Sequence, residues 1–270
     1  SKFLLAAIKR CRQKGYHLII DEADKNVKNT LIAVNDLINV TQVDGMILLP
    51  PLCDDEQVLA LLQEEKIPFV RVSPDTQLNI SSYICMDDYQ AAFELTETLI
   101  KNGHTKIAHI RGDISLGVSR LRYQGYLDAL RSNQINVPPE YIEQGQFTYK
   151  SGLLAAKRLL DLAHAPTAIF AANDDMAAAT ISAAHMKGIE VPNELSVVGF
   201  DDTQLATTIW PNISTVRQPI DEMADKAIEL LSSGKLDDLA SVKSHEKRNV
   251  LDFKIIERAS SQKSNELEDI

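Results

Sequence analysis

Cysteine is scarce: Cys11, Cys53 and Cys85 are the only three in 270 residues, far apart and without a CxxC pair. That excludes a disulfide scaffold and a zinc knuckle, and it points to a reducing, cytoplasmic compartment. No run of about 18 apolar residues exists, so no membrane span is expected. Positive charge is in deficit, with 28 Lys and Arg against 38 Asp and Glu and a net charge of −10. Nucleic-acid binding shows as a basic face or stripe, so this chain is not expected to grip DNA by itself. The chemical motifs GxGxxG, GxxxxGK[ST] and GxSxG are all missing. The six histidines (His17, His104, His109, His164, His185, His245) show no metal-ligand spacing. No catalytic residue, no metal site and no cofactor is therefore expected, and the chain does not read as an enzyme.

What is present is a globular composition, 44% hydrophobic and 24% charged, enough for a real core. Short apolar or β-branched runs alternate with helical patterns. Strands are expected at 16–20, 45–49, 69–72, 83–86, 107–111, 168–171, 197–200, 214–217 and 249–256. Helices are expected near 1–14, 27–39, 54–65, 88–102, 119–133, 150–162, 174–187 and 219–232. In 88–102, Ala92, Leu95, Thr96, Leu99 and Ile100 recur at helical spacing and Gly103 is placed to end the helix. In 219–232, Pro219 suits the first turn, Ile220, Met223, Ala224, Ala227, Ile228 and Leu231 form the apolar stripe, and Gly234 follows. Such alternation implies parallel sheets with helices on both faces, and the number of strands calls for two α/β lobes. The chain opens on Ser1, without an initiator Met, and directly with a helix. An open α/β lobe normally starts with a strand, so residues upstream of Ser1 are expected in the parent protein. The final ten residues are polar and expected to be loose.

In open α/β sheets ligands bind beyond the carboxyl ends of strands. That places Asn173, Asp174 and Asp175 after AIFA, Asp201 and Asp202 after VVGF, Gly112 and Asp113 before Arg120 and Arg122, and Pro50 and Pro51 after GMILL. Asn173 suits a vicinal hydroxyl pair, and equally a helix N-cap. Asp201 suits hydroxyl protons, and equally a cap or a solvated turn. Arg122 offers a fork to hydroxyls or a carboxylate, or a surface ion pair. Phe147 stacks on a sugar ring or plugs the core. Trp210 reads as packing.

The runs NGHTKIAHIRG, SRLRYQGYLDAL, PTAIFAANDDMAAA, KGIEVPNELSVVGFDDTQLA and WPNISTVRQPIDEMADKA occur in order. Together they resemble the effector-binding core of the LacI family of bacterial transcription regulators, from Ser1 to about Ser260. The resemblance implies a periplasmic-binding-protein-like type I fold: α/β, two similar doubly wound parallel-sheet lobes joined by three crossovers. By similarity one lobe holds 1–102 and 219–246 and the other 103–218 and 247–260, with a tail at 261–270. The crossings would fall near Asn102, Gln218 and Lys247, and the effector would sit between the lobes.

By the same resemblance Arg122, Asn173 and Asp201 hold the effector, Phe147 lines the pocket, and Gln218 lies at the crossing beside it. A homodimer is implied, packed through Ala178, Ser182 and His185 on the helix after AAND, joined by Ile209. The family's helix-turn-helix and hinge helix are absent from this sequence, as are the first strand and the start of its loop. Operator DNA would be gripped by that N-terminal module. The function so implied is the effector-sensing and dimerisation core of a cytoplasmic repressor, with a sugar ahead of a purine as effector. The alternatives are a periplasmic sugar-binding protein of a transporter and a two-lobed α/β enzyme.

Overall fold

A computed structural model describes residues 2–21, 27–233 and 248–262. The chain divides into two compact units, Ser1–Met86 with Pro219–Leu251, and Asp87–Gln218 with Asp252–Ile270. It runs first through α1 (Lys2–Lys14), α2 (Val27–Thr41), β1 (Met46–Leu48), α3 (Glu56–Glu64), β2 (Phe69–Val72) and β3 (Ser82–Cys85). It then builds most of the second unit from α4 (Asp88–Lys101), β4 (Ile107–Arg111), α5 (Gly117–Ser132), β5 (Ile142–Gln144), α6 (Tyr149–Leu160), β6 (Ala168–Ala171), α7 (Asp174–Met186), β7 (Ser196–Val198), α8 (Leu205–Thr208) and β8 (Thr215–Arg217). It returns to the first unit for α9 (Ile220–Ser232) and β9 (Arg248–Val250), and ends in the second with β10 (Lys254–Ile256).

The first unit holds a parallel sheet of order β1-β2-β3-β9. Its apolar core joins Val34 and Ile38 of α2, Met46 and Leu48 of β1, Val58, Leu59 and Leu62 of α3, and Phe69. Asp55 starts α3 by accepting from the amides of Gln57 and Val58, both at 3.0 Å, two donors that a helix start otherwise leaves open. A charge sits inside this unit: Arg71 is fully buried on β2 and donates to Ser81 Oγ and to the carbonyls of Cys53, Thr76 and Gln77. Those bonds tie the segment between β2 and β3 to the sheet.

The second unit holds a parallel sheet of order β5-β4-β6-β7, with β8 and β10 as an antiparallel pair. Successive strand residues face opposite layers. Ala108 and Ile110 of β4 join Ala155, Leu159, Met176 and Ile181 in the core under α6 and α7. His109, on the other face, packs on Tyr126 of α5 and on Phe170. Helix α4 lies against α5 because Gly125 lets the backbones meet: a Cβ there would stand 2.2 Å from the Tyr89 carbonyl oxygen.

This packing moves the first changeover. It lies between Met86 and Asp87, not near Asn102, because α4 is held by α5 within the second unit. The second changeover lies between Gln218 and Pro219, and the third between Leu251 and Asp252. The expected crossing at Lys247 falls outside the described residues, as do Gly234 and residues 263–270 of the expected tail.

Every helical pattern read from the sequence is a helix here, with Pro219 at the N-cap rather than in the first turn. Two strand expectations change, and one strand had no expectation. Residues 16–20 form no strand; among the described residues nothing pairs with them, and Ile19 and Ile20 are half exposed. The run 249–256 splits into β9 and β10, which pair in different units. Strand β5 was not read at all, since Ile142–Gln144 has no buried apolar face.

Candidate functional site

The carboxyl ends of β4, β6, β7 and β8 bring a polar cluster together within the second unit. Its centre is Arg122. Helix α5 turns one face inward, so Arg122 is 4% exposed while Arg120, two residues earlier, is exposed, as residues two apart on a helix must diverge. The Arg122 Nε donates to Asp88 Oδ1 at 2.8 Å and Nη1 donates to the Ala172 carbonyl at 2.7 Å. Nη1 also lies 3.5 Å from Asp201 Oδ1. The guanidinium carbon stands 3.6 Å from the Phe200 ring centroid and 5.7 Å from that of Phe147, so an aromatic face supports the charge.

Asn173 performs the capping role: its Oδ1 accepts from the Met176 amide at 3.0 Å. Its Nδ2 donates to the Phe147 carbonyl, also at 3.0 Å. That bond helps hold Phe147, whose φ is 55°, over Gly112. A Cβ on Gly112 would lie 1.9 Å from the Phe147 ring, so only glycine admits the ring there. Phe147 is half-buried and packs on the unit's core.

Asp201 has φ 112°, an unusual backbone for a residue with a Cβ. Its carboxylate accepts from Gln218 Nε2 and faces Arg122, and its side chain remains 27% exposed. Removal from water raises its pKa to about 7; Arg122 opposes the rise, Asp174 adds to it, Gln218 opposes it and Asp88 adds again. Asp174 is fully buried and accepts from the Thr203 amide at 2.7 Å and from the Thr215 hydroxyl at 2.6 Å. Burial lifts it to about 6 against those hydrogen bonds. Asp88 is also raised, by burial first, against the pull of Arg122.

The structure thus brings Arg122, Asn173, Asp201, Phe147 and Gln218 together. Asp113 instead closes its own turn, accepting from the Ser115 amide and hydroxyl, and Pro50 and Pro51 belong to the first unit. Sequence reasoning named Asp174 only among the polar groups at a strand end, and passed over Asp88 and Phe200. The available signal was a paired acid at each helix start, Asp87–Asp88 and Asp174–Asp175.

The expected interface residues separate. Ala178 is 2% exposed and belongs to the core under α6 and α7, so it presents no surface. Ser182 is half-buried and receives a hydrogen bond from the Tyr149 hydroxyl. His185 is exposed, and Ile209 is half-buried against the core. Trp210, expected to pack, is 77% exposed. Among the described residues no group of His, Cys, Asp and Glu is arranged to hold a metal, and no helix is long and apolar enough to cross a membrane.

Comparison with known proteins agrees with this architecture. Residues 96–261 match the family model described as a periplasmic binding protein-like domain. The catabolite control protein A of Priestia megaterium is 33% identical over 218 residues, which cover 80% of this chain and 65% of that protein. The chain spans about 60–65% of the length of the first curated relatives it matches. A solved putative LacI transcriptional regulator from Bacillus cereus subsp. cytotoxis superposes with TM-score 0.87 at 28% identity, over 98% of this chain and 92% of that one. A transcriptional regulator CelR–cellobiose complex superposes with TM-score 0.85 at 27% identity, over 96% and 78%. The chain therefore belongs to the periplasmic binding protein-like family, in the branch carried by LacI-family transcription regulators.

Proposed function

We propose that this chain is the effector-sensing and dimerisation core of a LacI-type repressor. Its effector is a small polyhydroxylated molecule, a sugar ahead of a purine, bound on the second unit where Arg122 meets Asp201, Asn173 and Phe147. The observation that carries this reading is the Arg122 guanidinium, buried among carboxylates and laid on Phe200. Such a cluster joins hydrogen-bond donors and acceptors to an aromatic wall, the pairing that a ring with hydroxyl edges and C–H faces requires. The cellobiose-bound relative supports a saccharide.

Operator DNA would be held by a helix-turn-helix module elsewhere in the full-length protein. The net charge of −10 supports that division of labour, since phosphate contacts need basic groups. The relatives are transcription regulators, which favours a cytoplasmic repressor over a transporter component and gives no reason to assign a catalytic step. Exposed Met186 and Trp210, beside His185 and Ile209, support an apolar contact in a homodimer.

A thermal-shift panel of mono- and disaccharides, nucleosides and purines tests the reading. A ligand at about 100 times its Kd adds about 2.7 kcal/mol to stability, and calorimetry then yields its affinity. Stabilisation that is clearly reduced in Asp201→Ala supports the assignment. A panel in which nothing stabilises the wild-type chain defeats it.

A further inference from the structure

The chemistry of the effector is further constrained by how Arg122 is already engaged. The guanidinium meets Asp88 through Nε at 2.8 Å and Asp201 through Nη1 at 3.5 Å. Asp174 stands on the same strand ends and acts on Asp201 electrostatically. One buried cation therefore faces two carboxyl groups, Asp88 and Asp201, and Asp174 acts on Asp201; Asp88 and Asp174 are almost fully buried. A further Nη1 bond goes to the Ala172 carbonyl. Arg122 is not presented as an open fork for an incoming anion.

Resting on the effector-site reading above, we infer that Asp88 sets the charge class of the effector. By occupying the Nε edge of Arg122 it makes the site select uncharged or cationic hydroxyl- and amine-bearing ligands over carboxylates and phosphates. Ligand hydroxyls would donate to Asp201, Arg122 would donate, and Asn173 would donate or accept around the same ring. A ligand carboxylate or phosphate would instead meet like charge in a partly buried site, where juxtaposed like charges weaken binding strongly. Asp88 lies on α4 and Arg122 on α5, so the close α4–α5 crossing at Gly125 fixes their pairing. Asp88 is thus a positioning residue that acts through Arg122. Asp201 at about pKa 7 and Asp174 at about 6 still leave no net positive charge at neutral pH.

The test uses matched ligands on wild-type, Asp88→Asn and Asp88→Glu chains. The pairs are cellobiose with cellobionate, glucose with glucose 6-phosphate and with glucosamine, and cytidine with cytidine monophosphate. Wild type is expected to bind the neutral or cationic member of any recognised pair at least tenfold tighter than the anionic one. Asp88→Asn keeps an acceptor for Nε but removes the charge, and it should narrow that ratio at least tenfold; Asp88→Glu should keep it. A purely structural Asp88 would lower the affinity of both members together and leave the ratio intact. An anionic member that binds wild type tighter than its neutral partner overturns the inference, as does an unchanged ratio in Asp88→Asn. Inorganic phosphate at constant ionic strength supplies a readout independent of the effector's identity. Wild type should gain no stability from it relative to chloride, and phosphate stabilisation of wild type that is lost in Arg122→Lys also overturns the inference. If no pair binds while phosphate gives no stabilisation, the effector-site reading fails and the exclusion of anions stands.

Discussion

Asp201 carries more of the site than its neighbours because it is the acid of the cluster that keeps a solvent-facing side. Asp201→Ala should leave the fold intact and weaken effector binding by about 1.5–3 kcal/mol, the range for hydrogen bonds to charged groups, or about ten- to a hundredfold by calorimetry. Its titration adds a second, ligand-free prediction. The folded-state pKa of about 7 lies above the ordinary carboxylate value of 3.8, so the folded chain holds a proton that the unfolded chain has released. That contribution is full below the unfolded pKa and is lost as pH rises through about 7. One pKa unit corresponds to about 1.4 kcal/mol, so between pH 5 and 7 the change has an upper bound of roughly 3 kcal/mol. Urea melts at pH 5, 6, 7 and 8 should show Asp201→Asn gaining on wild type as pH rises, and parallel profiles would refute the raised pKa. At this scale the sequence pointed to residues that the structure places in one cluster: Arg122 through its motif, Asn173 and Asp201 through the carboxyl-end rule. It failed for Asp88, although that residue also follows a strand end, that of β3, because its place in the cluster depends on α4 crossing α5 beside Arg122.

That crossing is a property of elements, and Gly125 controls it. An added methyl would press on the Tyr89 carbonyl and the Phe93 amide, at 2.2 and 2.9 Å, and both are backbone atoms that cannot rotate away. Gly125→Ala should therefore cost about 1–3 kcal/mol, the usual range for overpacking, read as a shift in the urea midpoint. Because α4 carries Asp88 and α5 carries Arg122, the same change should also lower effector affinity. Strand β4 supplies a contrast. His109 is fully buried, with Nδ1 bonded to the Phe170 carbonyl at 2.9 Å and the ring stacked on Tyr126. Burial depresses its pKa to about 3 from 6.5. The unfolded chain alone takes up that proton, so stability is present above about pH 6.5 and is lost as pH falls toward 3. His109→Phe should flatten this acid limb in melts from pH 6.5 down to 4, and an unchanged limb would place its cause elsewhere. Helices were legible because their apolar spacing spans several turns. Short strands were legible where a buried apolar run marks them, as in β1 and β7; β5 has no buried apolar face, and 16–20 has the composition of a strand but no partner among the described residues.

For the whole molecule, the order of the motifs carried the two-unit α/β architecture, while contacts made through tertiary packing did not show in the sequence. Ala178 illustrates the limit. A small residue on α7 satisfied the pattern expected of a helix–helix interface, yet small residues also allow α6 to approach α7, and the structure uses it for that. The surface that remains for a second copy of the chain is apolar and lies close by in sequence: Met186 is 68% exposed and Trp210 77% exposed. Tryptophan is enriched at interface centres, where its burial dominates binding. The chain should sediment as a dimer at micromolar concentration, and Trp210→Asp should shift it toward monomer by at least tenfold in dissociation constant, since an aspartate would carry an unpaired charge into the contact. Trp210 takes no part in the Arg122 cluster, so the monomeric variant should still bind the effector with near wild-type affinity. Sedimentation velocity and calorimetry on the same preparation separate the two outcomes. A wild-type chain that remains monomeric would remove dimerisation from its proposed role and leave effector binding standing, whereas loss of both properties in Trp210→Asp would mean that Trp210 supports the fold of the second unit rather than an interface.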